Sequence, residues 1–461
     1  MARRELFRYE SGVPLPHSKS SMIMKKVRLQ FTPPLVRVHD VQFLDSIPVQ
    51  MKVHVRKPLV EERRNTHSLL IVGDFEYTGE DEPLEMQVFS QGFLLHNVPV
   101  RPSSREGRNR RYPFRIGIST LGLPASSQIM LRIHMQQGGV VDVIRVDMER
   151  HRAIPCRPTQ LQPCLVTGLG RSGTTRLMQI LSSHSGIACD DTYPYETRMA
   201  QYFMQKYFVG VSPALHLPNY NIDNFYNQNP SVRVGPCPYF LTPYSEGTRA
   251  EAWYSREYLP RLEKNTFRAI DKFYLTGVKR GIIRKSQPPM YFAEKFHPTH
   301  MPFLFRELYQ GAREIFLVRD FRDMFASMLG FNEKRNSEDF GRATVDSDMQ
   351  FLRSVGQSVT QLTTSWRQRK EGALLIHYED MCRTPGTVAS KLAEYLGFPH
   401  LDLPPPDVSN GAQHQERGMA AHATSPDAAT SIGKWKTVLP PDMAEHCDLV
   451  FRPALDLFGY D

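Results

Sequence analysis

The chain has 461 residues, too many for one ordinary domain, and its length points to two or three. Apolar side chains make up 41% of it, enough for real cores, while 57 Lys and Arg against 48 Asp and Glu give a formal charge of +9. That charge favours an anionic ligand or surface over a cationic partner. Its excess lies at the front: residues 1–160 hold 24 basic and 16 acidic residues, a net of +8, leaving 33 against 32 for the remainder. Six cysteines with no C-x-x-C pair suggest neither a zinc site nor a dense disulfide framework, and fit a reducing compartment. No apolar h-region follows the N-terminal charges and no run of 18 apolar residues occurs. The expectation is a soluble, cytoplasmic protein with no signal peptide or transmembrane segment.

In chain order, residues 1–24 are polar and contain Ser and Pro, and read as a flexible arm. Residues 25–150 carry short β-rich runs such as "HSLLIVGDFEYTG" and "SQIMLRIHMQ". Ile129, Leu131, Ile133 and Met135, then Val141, Val143 and Val146, approach period-two alternation, with Ile144 out of phase and "QQGG" between them as a hairpin turn. This predicts an antiparallel β-sandwich accessory domain. Arg101, Arg105, Arg108, Arg110, Arg111 and Arg115 crowd one stretch, as a solvated loop or as an anion-docking patch. Residues 151–163, "HRAIPCRPTQLQP", read as a linker.

From 164 to 461 the texture changes. Strand-length apolar runs ("CLVTGL", "EIFLVR", "ALLIHYED") alternate with helical stretches, which predicts an α/β domain with a parallel sheet between two layers of helices. Its first strand runs into Gly168, Leu169, Gly170, Arg171, Ser172, Gly173, Thr174, Thr175 and then a helix. A nucleotide-triphosphate loop of the form G-x-x-x-x-G-K-[ST] has lysine where this chain has Thr174. The glycine cradle and helix N-terminus still favour an anion, and the positive charge has moved to Arg171.

"GLGRSGTT" resembles the 5′-phosphosulfate loop of sulfotransferases that use 3′-phosphoadenosine 5′-phosphosulfate (PAPS), nearest the tyrosylprotein and bacterial-type branch. The resemblance implies a P-loop-like α/β fold in which Arg171, Ser172, Gly173, Thr174 and Thr175 surround the 5′-phosphate and sulfuryl group. "EIFLVRDFRDMFASM" is similar to the family's 3′-phosphate segment, and implies that Arg319 and Ser327 converge on that phosphate. The family usually has proline where this chain has Phe321. "LLIHYEDMCRTPGTVASKLAEYLGFP" matches a further strand and helix, with Tyr378 near the adenine, and "SIGKWKTV" matches the closing segment, with Ser431, Gly433, Lys434 and Trp435 reaching the nucleotide. The resemblance spans about residues 162–461, and implies sulfuryl transfer from PAPS to a hydroxyl acceptor, leaving adenosine 3′,5′-bisphosphate, without a metal.

Such a transfer needs a base and cations on the departing phosphate. Glu196, in a stretch resembling the E-T-R of the tyrosylprotein-type branch, is the first candidate base, with Asp190, Asp191 and Glu294 as rivals. The bland alternative for Glu196 is a carboxylate on a helix N-terminus paired with Arg198. Lys295 could stabilise the leaving phosphate, whereas His297 and His184 read as a loop residue and a helix end. The aromatic-rich residues 200–290 suit an acceptor pocket or simply core. A P-loop kinase and a catalytically silent binding protein are the competing classes. Nucleic acid is not an expected partner, and the acceptor could be a glycan, a protein or a small molecule.

Overall fold

Alternation of apolar and polar side chains favours half-buried strands in the front part of the chain, and among the described residues nine strands form there: β1 (Val36–Phe43), β2 (Met51–Lys57), β3 (Arg63–Arg64), β4 (Ser68–Tyr77), β5 (Pro83–Ser90), β6 (Phe93–Pro99), β7 (Arg110–Ser119), β8 (Ser126–Met135) and β9 (Val140–Arg150). The structure, a computed structural model, describes residues 35–64, 66–103, 110–151, 159–190, 194–211, 253, 257–279, 288–299, 301–336, 340–342, 345, 347–403 and 429–461. The arm 1–24, residues 152–158 of the linker, Arg105, Arg108, Asp191 and most of the aromatic-rich stretch lie outside the described residues.

The nine strands make a six-stranded sheet, ordered β3-β1-β9-β8-β5-β6, and a three-stranded sheet, β2-β4-β7. Inward residues of both enter one core, among them Val36, Leu69, Ile71, Phe75, Phe114, Ile129, Leu131 and Ile133. Ile144 is out of phase because the β8–β9 register shifts after Leu131, a bulge that lets Val143 and Ile144 both be buried. Arg110 pairs with Glu82, and Arg111 donates twice to Asp74 (3.0 and 2.9 Å), so these two arginines of the basic stretch are engaged within the sheets.

Beyond them the elements alternate as α/β: β10 (Gln162–Gly168), α1 (Thr174–Ser183), β11 (Ile187–Ala188), α2 (Met199–Val211), α3 (Leu259–Lys279), β12 (Tyr291–Phe296), α4 (Met301–Leu308), β13 (Arg313–Val318), α5 (Phe321–Arg335), α6 (Asp348–Arg369), β14 (Ala373–His377), α7 (Tyr378–Arg383), α8 (Pro385–Leu396), α9 (Trp435–Val438) and α10 (Pro441–Phe458). The five strands are parallel and ordered β11-β12-β10-β13-β14. Period-two alternation sends Cys164 and Val166 into a core with α1 and α8, and Leu165 into another with α2, α3 and α4. Helices therefore cover both faces. β10 lies between β12 and β13, so the chain departs to either side of it and leaves a crevice at its C-terminal end, the usual ligand position in open parallel sheets.

Residues 34–461 form one compact unit. The antiparallel sheets pack directly on α4 and α6. Arg150 donates to both carboxylate oxygens of Glu307 at 2.7 Å, and the Gly122 amide adds a third bond at 2.8 Å. Gly122 has φ +77°, and a Cβ there would lie 3.1 Å from the Leu304 nitrogen, so this seam needs glycine. Phe93 meets Phe303 edge-on, and Gln368 donates to the Gln91 carbonyl. His67 is buried beside this ion pair, and burial pushes its pKa down to about 4.

Candidate active site

The strand-to-helix loop is shaped by its residue types. Arg171 and Gly173 both take left-handed backbone (φ +66° and +94°), and Gly173 serves as N-cap of α1 without a side-chain acceptor. The first-turn amides of a helix have no partner inside it, so those of α1 point into the crevice and favour an anion. A Cβ on Gly173 would stand 2.3 Å from the Tyr378 ring, and one on Gly170 2.5 Å from Phe340. Ser172 turns inward, donating to the Leu169 carbonyl at 2.7 Å and bracing the turn.

On one flank of the loop, four separated stretches meet. Arg171 Nε donates to Ser327 Oγ at 3.1 Å, with its guanidinium 4.6 Å from the Phe331 ring centroid. Arg319 donates to the Arg171 carbonyl (3.0 Å) and the Ser431 carbonyl (2.8 Å) and stacks on Tyr378, whose hydroxyl meets Ser431 Oγ at 2.9 Å. Burial pushes the Tyr378 phenol up, so it stays protonated. Next door, the Asp323 carboxylate accepts from the amides of Gly433 (2.6 Å) and Trp435 (2.9 Å), fixing the turn that carries Lys434. Arg322 is clasped by Asp320 and by Asp448, and stacks on Trp435. Phe321, where the resembled family usually has proline, is buried against Phe451 and Phe458 at the start of α5, and Asp320 caps that helix by accepting from the Arg322 amide.

On the other flank lies a cavity of about 380 Å³. The loop glycines Gly168 and Gly170, with Thr174, form one side, and Glu196, Arg198, Lys295 and His297 another. Facing them is an apolar wall of Met328, Phe340, Phe351 and Val355, with Ser354 and Ser358. β12 divides its neighbours between two faces. Lys295 Nζ reaches Thr175 Oγ1 (3.1 Å), the Pro194 carbonyl (2.7 Å) and Glu196 Oε1 (3.3 Å). Burial lowers its pKa, and the Glu196 carboxylate opposes that shift. Glu294 points the opposite way and accepts from the Ala200 and Gln201 amides and the Tyr274 hydroxyl, with burial raising its pKa. It thus occupies the N-terminus of α2, one half of the bland role considered for Glu196. Glu196 has the other half, the pair with Arg198 (3.3 Å), and also meets Lys295 at the cavity wall.

Asp190 accepts from Thr197 Oγ1 at 2.7 Å and is not among the cavity-lining residues. His297 lines the cavity, and burial lowers its pKa, which favours a neutral imidazole. His184 ends α1 and packs at a tilt against the Phe398 ring. Sequence reasoning missed Asp323, Glu379 and the α6 wall. Phe351, Ser354, Val355 and Ser358 recur at i, i+3, i+4 and i+7, a signal that marks one helix face and does not distinguish core from cavity. Among the described residues no helix is long and apolar enough to cross a membrane.

A model described as "Sulfotransferase family" matches residues 163–402, more than half of the chain. Cytosolic sulfotransferase 1 of Arabidopsis thaliana is 26% identical over 183 residues, covering 34% of this chain and 55% of that protein. Human carbohydrate sulfotransferase 3 is 27% identical over 160 residues, covering 32% and 33%. The chain therefore spans about half the length of the first relative and a third of the second. Among solved structures, a sulfotransferase domain from the curacin biosynthetic pathway is similar over 66% of this chain and 99% of its own, at 16% identity and a TM-score of 0.37.

Proposed function

Because this chain belongs to the sulfotransferase family, we propose that it moves a sulfuryl group from PAPS to an acceptor hydroxyl by in-line displacement. The observation that carries the reading is the meeting of Arg171, Ser327, Arg319, Tyr378 and Ser431 in one hydrogen-bonded patch beside the loop, with Glu196 and Lys295 across the cavity. In this reading Arg171, Ser172, Gly173, Thr174 and Thr175 hold the 5′-phosphate, largely through amides, and Arg319 and Ser327 hold the 3′-phosphate. Tyr378 flanks the adenine, and Lys434 closes the nucleotide site.

PAPS supplies the activated sulfuryl group. Glu196 takes the acceptor proton as the acceptor oxygen bonds to sulfur, and the bond from sulfur to the phosphate oxygen breaks. Arg171 and Lys295 neutralise the charge left on that phosphate, and Lys295 is held for this by Thr175 and the Pro194 carbonyl. We divide the chain into the arm 1–24, an accessory domain 25–150, a linker 151–163 and a transferase domain 164–461.

The test is a thermal-shift titration with adenosine 3′,5′-bisphosphate beside ATP with Mg²⁺. Saturation at a hundred times the dissociation constant adds about 2.7 kcal/mol of stability. A shift with the bisphosphate and none with ATP supports the reading. A shift with ATP alone returns the chain to kinase-like chemistry, and no shift with either to a silent binder.

A further inference from the structure

We infer that Tyr460 is a positioning residue for the donor-side arginine, acting through Glu379, which ties the end of α10 to the turn carrying Arg319. The inference rests on the reading of Arg319 as a phosphate ligand. Glu379 is 8% exposed and spends its two oxygens on two donors: Oε1 accepts from the Asp320 amide at 3.0 Å, and Oε2 from the Tyr460 hydroxyl at 2.9 Å. Asp320 directly follows Arg319, so the amide held by Glu379 belongs to the peptide that orients the arginine.

The rest of the turn is held from other directions. Arg319 reaches the carbonyls of Arg171 and Ser431, and Arg322 clasps Asp320 from α5. Glu379 is the second residue of α7, and Tyr378, the first, lies against Gly173 and under Arg319. One carboxylate therefore couples the loop side, the arginine turn and the end of α10. Burial and the neighbouring Glu379 carboxylate push the Tyr460 phenol well up, so it remains a donor throughout the working range. The Tyr460 ring also packs edge-on against Phe321 and His377, which fixes where its hydroxyl sits.

Removing the hydroxyl leaves a buried carboxylate oxygen without its donor, and Glu379 then shifts toward solvent, away from the Asp320 amide. That movement loosens the Arg319 peptide while leaving the α10 core in place. The substitution that isolates the effect is Tyr460→Phe, which keeps the ring. Glu379→Gln is the conservative control, because its amide oxygen still accepts from Asp320 and its NH₂ can donate to the Tyr460 oxygen.

Two readouts on the full chain test it. Hydrogen exchange in the nucleotide-free protein should show the Asp320 amide exchanging about tenfold faster in Tyr460→Phe, with amides of residues 441–458 unchanged. Calorimetric titration with adenosine 3′,5′-bisphosphate should show affinity about tenfold weaker in Tyr460→Phe and Glu379→Ala, and near wild type in Glu379→Gln. The double variant Tyr460→Phe/Glu379→Ala should bind no more weakly than Glu379→Ala alone, since both act on one link. Unchanged Asp320 exchange in Tyr460→Phe overturns the inference, as does unchanged bisphosphate affinity despite faster exchange, or additive losses in the double variant. A wild-type protein that does not bind the bisphosphate overturns the donor reading itself, and the exchange result separates that failure from a failure of the Tyr460 link.

Discussion

Arg319 and Arg322 stand three residues apart and are equally buried, at 5% exposed, yet their surroundings are opposite. Arg322 faces carboxylates of Asp320 and Asp448, as Arg150 faces Glu307 and Arg369 faces Glu314. Arg319 faces two carbonyls and a phenol ring, and among the described residues it has no carboxylate within ion-pair distance. A carboxylate cancels the field of its partner at a distance, whereas a carbonyl orients a guanidinium and leaves its net charge to act on an anion. Buried cations of the first kind hold the fold, and one of the second kind is equipped for a ligand. Lys295 lies between: a hydroxyl, a carbonyl and one carboxylate, Glu196, at the wall of a cavity.

The largest expected effect is at that intermediate site. Glu196→Gln should lower turnover by roughly 10²–10⁴ with bisphosphate affinity retained, measured in single-turnover assays with PAPS and a hydroxyl acceptor. Normal turnover would move the base elsewhere and make Glu196 only the counter-ion of Lys295. Next, Glu307→Ala should cost about 3–5 kcal/mol in urea unfolding, because it strands the buried Arg150, while leaving bisphosphate affinity unchanged. A loss below about 1 kcal/mol would place that pair with surface bridges.

His67 sharpens the same seam by pH. Its folded pKa of about 4 lies below the ordinary 6.5, so above pH 6.5 neither state holds the proton and stability is complete. Between these values only the unfolded chain binds it, and stability falls with pH by up to about 3 kcal/mol. Urea midpoints at pH 7 and 4.5 should differ more in wild type than in His67→Leu, and equal slopes would refute a buried neutral imidazole. The smallest effect is on binding: Arg319→Ala should weaken the bisphosphate by about 10–100-fold with a minor change in unfolding free energy. A stability loss as large as that of Glu307→Ala would instead assign Arg319 to the fold.

Local pattern determined much of this protein. Strand-length apolar runs alternating with helices announce a parallel sheet, and the run Gly168 to Thr175 announces an anion loop, because backbone geometry and helix-terminal amides depend on residues close in sequence. Arg171 stands out as the cation of that loop, whereas Arg319 and Ser327 stand out only through the resemblance of "EIFLVRDFRDMFASM" to the sulfotransferase 3′-phosphate segment. Only the tertiary structure decided that Glu294, next to Lys295, turns to the other face and caps α2, that the wall opposite Glu196 comes from α6, and that Glu379 joins Tyr460 to the Arg319 turn. Each is a choice between partners 59 or more residues apart, or between two faces of one element. Spacing along a chain carries no information about which distant donor a buried carboxylate will meet, and packing supplies it.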